Sequence, residues 1–386
     1  MLDGIAAADV VFLGEANHFV HEKAEFRLWW LERLAARRRL MVGEELGWFD
    51  AGHVARFLAT GDPAAIGAAA TFGGRAHLRT DRDDTPTGVL AASHRLYPTE
   101  LFRVEQTRFY EGLRRLPGKV RFFGFDVDAP GAGYGELRRA VANAGLIGPA
   151  GDLERVEGES LAHEVSRLEA LAARLEAQGP DGAAGRQLMV DLGALIGSLS
   201  YAAEAGPAPD YESLRPAMAR REEIMKRNVE WMLDEREDRL VVLLGHNFHL
   251  VKDDAAIAPS ASVGPGGGLV PSIGHHVANH LGLRVGAVWM LYGSGEDSQP
   301  FPDLPRVASY PASSLNGVLA SAGRPVLVPA EDAAAACQTS AGGRTRVGIM
   351  YNLVVPVDLV RAVDIVHFVP SVTPMRAPLE PAPASA

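Results

Sequence analysis

At 386 residues, 47% hydrophobic and 22% charged, the chain has enough material for one large α/β domain or two smaller ones and the balance of a folded enzyme. A net charge of −10 argues against a nucleic-acid partner, because phosphate binding needs a concentrated basic face. Cys337 is the only cysteine, no apolar run reaches bilayer length, and no basic-then-apolar leader opens the chain; the expectation is a cytoplasmic protein with no intrachain disulfide and no membrane partner.

In chain order, Asp9-Val10-Val11-Phe12-Leu13-Gly14 is a short apolar, β-branched run stopped by glycine, the pattern of a buried strand. Glu22 to Arg39 is helical, with Phe26, Trp30 and Leu34 at four-residue spacing; Arg37 to Arg39 close it as a solvated basic end. Leu40-Met41-Val42-Gly43 reads as a second strand delivering Glu44 and Glu45. This strand–helix–strand unit predicts a parallel pair. Asp81 to Thr87 reads as a loop, Leu101 to Leu116 as a helix, and Lys119 to Asp126 as a strand ending in an acid.

From about Pro130 to Glu237 the character changes. Leu153, Val156, Val165, Leu168, Leu171 and Leu175 recur at helical spacing, followed by helical patterns over Gln187–Ala205 and Leu214–Asp234. The stretch predicts a helical insertion, joined by Gly/Pro-rich segments near Gly179–Gly185 and Gly206–Asp210. Arg239 to Leu244 returns to the buried-strand pattern and ends in Gly245-His246-Asn247-Phe248-His249. Asp253 to Pro271, with Gly264 to Gly268, reads as a glycine-rich loop, a connector or a lid. Val285–Leu291, Val326–Val328, Arg346–Tyr351 and Ile365–Val369 are further strands, and Arg376 to Ala386 reads as a disordered tail.

Four predicted strands therefore end in residues able to do acid–base work: Glu15 with His18, Glu45, Asp126, and His246 with His249. In open α/β sheets, sites form at the carboxyl ends of strands. Glu15 and His18 are three apart. In a helical turn they share a face, where the carboxylate fixes the imidazole tautomer and raises the basicity of the other nitrogen. A metal site is the chemical rival, with two histidines and carboxylates for zinc, but His-x-x-His lacks the four-residue helical spacing and ranks second. There is no G-x-S-x-G elbow and no phosphate loop, and Cys337 among alanines reads as a small core residue.

The order of these motifs resembles the erythromycin esterase family. Gly14-Glu15-Ala16-Asn17-His18-Phe19-Val20-His21-Glu22, followed by Arg27, is similar to that family's opening block. Glu45-Leu46-Gly47-Trp48-Phe49-Asp50-Ala51 matches its second block and selects Glu45 over Glu44. Phe122-Phe123-Gly124-Phe125-Asp126, Arg221-Glu222 with Met225, Asn228 and Trp231, Gly245 to His249, Gly274-His275-His276-Val277 and Ser371 to Pro378 follow in family order. Asn17 replaces the usual threonine, Phe19 the usual glycine, and Leu244-Gly245 a usual tryptophan.

The resemblance implies one domain over 1–386, with an α/β fold: a mixed, mainly parallel central sheet flanked by helices, with a helical hairpin insertion over 130–237. It implies ester hydrolysis without a covalent serine and without a cofactor. His18 is then the general base and Glu15 its partner, and Glu45 and His246 complete the catalytic set. Arg27, Asn17, Phe19, Trp48, Asp126 and His249 surround a small-molecule or peptide ester substrate. Phe19 beside the base reduces the room for a large macrolide, so a tailoring step on another natural product stands beside antibiotic resistance. A metal-dependent hydrolase using Glu15, His18, Glu45 and His246, and a non-catalytic binder, are the other readings.

Overall fold

The structure, a computed structural model, describes residues 1–68, 99–128, 132–143, 153–154, 156, 158–179, 182–206, 212–258, 270–299, 304–337, 343–349 and 352–375. The loop expected over Asp81–Thr87, the glycine run Gly264–Gly268 and the tail from Arg376 lie outside these residues.

A short helix α1 (Leu2–Ala6) precedes β1 (Val10–Glu15); α2 (Glu22–Ala35) then leads to β2 (Leu40–Gly47). Next come α3 (Trp48–Thr60), α4 (Pro63–Ala68), α5 (Thr99–Arg115) and β3 (Arg121–Asp126). Four helices, α6 (Tyr134–Asn143), α7 (Leu161–Gln178), α8 (Gly182–Ala205) and α9 (Arg215–Asp234), separate β3 from β4 (Leu240–His246). The chain closes with α10 (Ile273–Asn279), β5 (Val285–Glu296), β6 (Val307–Ser309), α11 (Leu315–Ala320), β7 (Val326–Pro329), α12 (Ala330–Ala335), β8 (Thr345–Gly348), β9 (Val354–Val357), α13 (Leu359–Ala362) and β10 (Ile365–Val372).

Eight strands form one sheet in the order β3-β2-β4-β1-β5-β10-β7, with β6 added to β5. Pairing is parallel from β3 through β10; only β7 and β6 run antiparallel to their neighbours. Every residue of β1 and of β4 is buried, as continuous Val/Leu runs require when helices cover both faces of a parallel sheet. The register sets Glu15 opposite His246 across β1 and β4. Because β1, β2, β3 and β4 point the same way, their functional ends gather along one sheet edge.

The main core spans the sheet, with Trp30, Trp289, Phe12 and Leu31 fully buried. A second apolar cluster, with Leu137, Leu168, Leu171, Leu188 and Leu192 at its centre, joins α6, α7 and α8. Leu153 and Val156 precede α7 instead of opening it, because the Ser160 side chain accepts the His163 N–H and caps the helix there. Helix α8 starts earlier than the glycines suggested: Ala183 and Ala184 propagate it from Gly182. At 24 residues it is, among the described residues, the one helix long and apolar enough to cross a membrane. It exceeds what the apolar runs alone implied; its leucines pack into the second cluster. The sequence reading also missed β6 and β9, which are three and four residues long and too short to show alternation.

Candidate active site

Beyond Glu15 the chain bends and turns without forming a helix, so a helical turn is not what brings Glu15 and His18 together. The side chain of Asn17 accepts the Phe19 N–H at 2.8 Å, an Asx turn that replaces a helical hydrogen bond. That turn still carries His18 Nδ1 to 3.1 Å from Glu15 Oε1. The Asn17 amide donates outward, to Tyr292 at 3.1 Å and Asp297 at 2.6 Å. Asn17, placed by resemblance around the substrate, is thus held inside the protein as an anchor of the His18 loop.

Arg27 of α2 fixes Glu15 from the opposite side. Its Nη2 donates to Glu15 Oε1 at 2.7 Å and its Nη1 to Glu44 Oε1 at 2.6 Å. Glu44 also accepts from Gln106 at 2.8 Å and from Tyr110 at 3.0 Å, both on α5. Burial opposes the charge on Glu15, but Arg27, the hydrogen bond from His18 and Lys23 outweigh it and bring its pKa down to about 2. Lys23, also buried, is brought down to about 8 by desolvation and by Arg27.

Glu45, next along β2, faces the other way, because side chains alternate along a strand. Its Oε2 accepts the backbone N–H of His246 at 2.8 Å, and its Oε1 meets Arg221 of α9 at 2.8 Å and His249 Nε2 at 3.3 Å. Arg221 also donates through Nε to Asp126 Oδ1 at 2.7 Å, joining the ends of β2 and β3. Gly124 is required in this corner: a Cβ there would lie 2.3 Å from the Leu46 carbonyl oxygen and 2.4 Å from that of Gly47, where β2 is irregular.

The two central imidazoles differ in state. His246 faces His18 with ring centroids 5.1 Å apart. Burial, then His18, brings the His246 pKa down to about 3, so it is neutral at pH 7. Its Nδ1 accepts the Phe248 N–H at 3.2 Å, which leaves the proton on Nε2. That Nε2 is buried without a hydrogen-bond partner among the described residues. His249 is opposite in kind: burial disfavours its charge, but Glu222 and Glu45 outweigh burial and raise it to about 10.

Of the ten site residues named from sequence, seven fall in two buried polar groups, Glu15–His18–Arg27 and Glu45–Asp126–His246–His249, which meet where the His18 and His246 rings lie side by side, and Phe19 packs its ring edge-on to His18. Trp48 points elsewhere, donating its indole N–H to Asp191 of α8 at 2.8 Å. Sequence reasoning passed over Lys23, Glu44, Gln106, Tyr110, Arg221 and Glu222. Arg221-Glu222 stood in a matching family block, which was the available signal. Among the described residues no three His, Cys, Asp or Glu side chains are grouped to hold a metal ion. Their oxygens point at guanidinium, imidazole and backbone N–H groups instead.

The sequence pattern described as erythromycin esterase matches residues 41–372. The chain belongs to the erythromycin esterase family. The match covers β2 through β10, including Glu45, Asp126, Arg221, His246 and His249, and begins after Glu15 and His18. No curated protein matches the chain. Three solved structures share its fold: a Bacillus cereus protein (TM-score 0.68, 14% identity, 97% of this chain and 91% of that one); a His-to-Asn mutant of the erythromycin esterase EreC in its open conformation (0.61, 19%, 96% and 92%); and a succinoglycan biosynthesis protein (0.65, 12%, 96% and 90%). The family supports hydrolase activity of the esterase type in general.

Proposed function

We propose that the protein is a carboxylic ester hydrolase that opens a lactone or another activated ester by attack of a His18-activated water. The observation that carries the reading is the buried Glu15–His18 pair, 3.1 Å apart, beside the neutral His246 ring, whose Nε2 has no hydrogen-bond partner among the described residues.

With ionised Glu15 accepting the Nδ1 proton, the His18 lone pair lies on Nε2. That nitrogen takes a proton from water as the water oxygen bonds to the ester carbonyl carbon. The His246 Nε2–H donates to the carbonyl oxygen as negative charge develops there, the task of an oxyanion-hole donor. Collapse breaks the acyl carbon–oxygen bond, and the proton on His18 passes to the departing alkoxide. The products are an acid and an alcohol, or a single hydroxy acid from a lactone. The residues do this with no covalent enzyme intermediate. A donor fixed in a buried, preorganised site is worth far more than one in water, and a positioned base contributes roughly 10²–10⁴-fold.

Family membership makes macrolide lactones the first substrate class to test, with other natural-product esters next because Phe19 lies beside His18. Incubating macrolides with wild type and with His18→Ala, followed by mass spectrometry, tests the reading. A product one water heavier, formed by wild type alone, supports it.

A further inference from the structure

Glu222 follows Arg221 on α9, is 3% exposed, and has no task in the hydrolytic sequence above. Its two oxygens serve different elements. Oε1 pairs with His249 Nδ1, while Oε2 accepts the Ile273 N–H at the start of α10 at 2.9 Å. On the other side of the ring, His249 Nε2 lies 3.3 Å from Glu45 Oε1. Glu45 Oε2 then accepts the backbone N–H of His246 at 2.8 Å. A continuous path of contacts thus runs from α10 through Glu222, His249 and Glu45 to the strand end that carries His246.

An imidazole between two carboxylates is satisfied only when both nitrogens carry protons, since a neutral ring would turn a lone pair towards one carboxylate. We propose that Glu222 is a positioning residue of this site, keeping His249 as an imidazolium that clamps Glu45 against His246. The inference rests on the hydrolytic reading for its kinetic consequence, but not for its chemistry. With Glu222 ionised, the cation on His249 balances Glu45, so that a second carboxylate can stand beside the place where the ester oxygen becomes negative.

The groups facing His249 are Glu222 and, through Glu45, Arg221 from α9; Glu45 from β2; His246 from β4; and, beyond Glu45, His18. The titratable groups of α10 pair away from it, His275 with Asp253 and His276 with Glu230. What α10 gives is backbone: besides Ile273, the Gly274 N–H donates to the His249 carbonyl at 2.7 Å.

The test is imidazole ¹⁵N NMR of the full chain with labelled histidine, assigned with His249→Gln, and run on wild type, Glu222→Gln and Glu222→Asp. Glutamine keeps an acceptor for Ile273 but removes the charge and turns an amide N–H, a donor, towards His249 Nδ1, which favours the neutral ring. In wild type the His249 ring is doubly protonated at pH 8.5. In Glu222→Gln it titrates about 1–3 pH units lower, and in Glu222→Asp it returns towards wild type. With erythromycin as the probe, Glu222→Gln gains an alkaline limb in kcat while KM stays within about twofold. A neutral His249 in wild type at pH 8.5, or a titration unmoved by Glu222→Gln, overturns the proposal. If erythromycin is not turned over, the NMR result still decides the role of Glu222, and the hydrolytic reading fails separately. If Glu222→Gln does not fold, the wild-type and Glu222→Asp titrations decide it.

Discussion

His18 Nδ1 meets Glu15 Oε1 at 3.1 Å across a turn that is not helical, so the pair depends on what holds each partner from outside. Arg27 and the strand register hold Glu15; the Asn17 turn, anchored on Tyr292 and Asp297, holds His18. The base is preorganised by two elements far apart in sequence. Each can be perturbed on its own, which makes the arrangement open to experiment.

Glu15→Gln removes the charge that fixes the His18 tautomer and leaves the volume unchanged. The expected result is a loss of kcat of about 10²–10⁴-fold with a smaller change in KM, read from steady-state hydrolysis kinetics. Equal loss of kcat in Asn17→Ala would point to the turn as an equal contributor.

Arg27→Ala leaves Glu15 and Glu44 buried without the cation that is hydrogen-bonded to both, with Lys23 the remaining positive charge nearby. Breaking a buried ion pair by removing one partner costs about 3–5 kcal/mol, so urea unfolding should shift to a clearly lower midpoint. Arg37→Ala, at an exposed pair with Asp3, should change stability by less than about 1 kcal/mol in the same assay.

Legibility in the sequence followed how local each feature is. The buried strands β1, β2 and β4 could be read because continuous Val/Leu runs need no partner to be recognised, and their ends located Glu15, Glu45 and His246. Glu44 was set aside because its value lies in Arg27, Gln106 and Tyr110, which reach it only in the folded chain. Arg221 and Glu222 look like any charged helix pair until α9 packs against β3 and brings them to Glu45 and His249. Whether the turn at His18 is helical stayed open in the sequence, because spacing alone does not show that Asn17 closes an Asx turn.

The two histidines of the fourth strand end set opposite pH slopes. His246, brought from an ordinary 6.5 down to about 3, binds fewer protons folded than unfolded, so its share of stability falls as pH drops below 6.5. His249, raised from 6.5 to about 10, contributes stability that is fully present below 6.5 and is lost as pH rises towards 10. Stability should therefore peak near pH 6.5 and fall most clearly between 6.5 and 8, because Lys23, brought from 10.5 down to about 8, contributes the opposite slope above that pH. Each slope is at most about 1.4 kcal/mol per pH unit. Thermal unfolding across pH 4–10 checks this, and His249→Gln should flatten the alkaline side alone.

Gly124→Ala pushes a methyl group against the Leu46 and Gly47 carbonyls that shape the end of β2. The expected cost is about 1–3 kcal/mol or more, with reduced activity because Glu45 and Asp126 both flank that corner. Gly118→Ala is the contrasting case: a Cβ there meets nothing within 4 Å, and only its left-handed φ of 78° opposes the change.

The most direct test of the account is mass spectrometry on a panel of macrolides incubated with wild type and with His18→Ala at matched folded concentration. If His18 is the base, wild type forms a product one water heavier and His18→Ala forms essentially none. Equal turnover by both proteins would contradict His18 as the base.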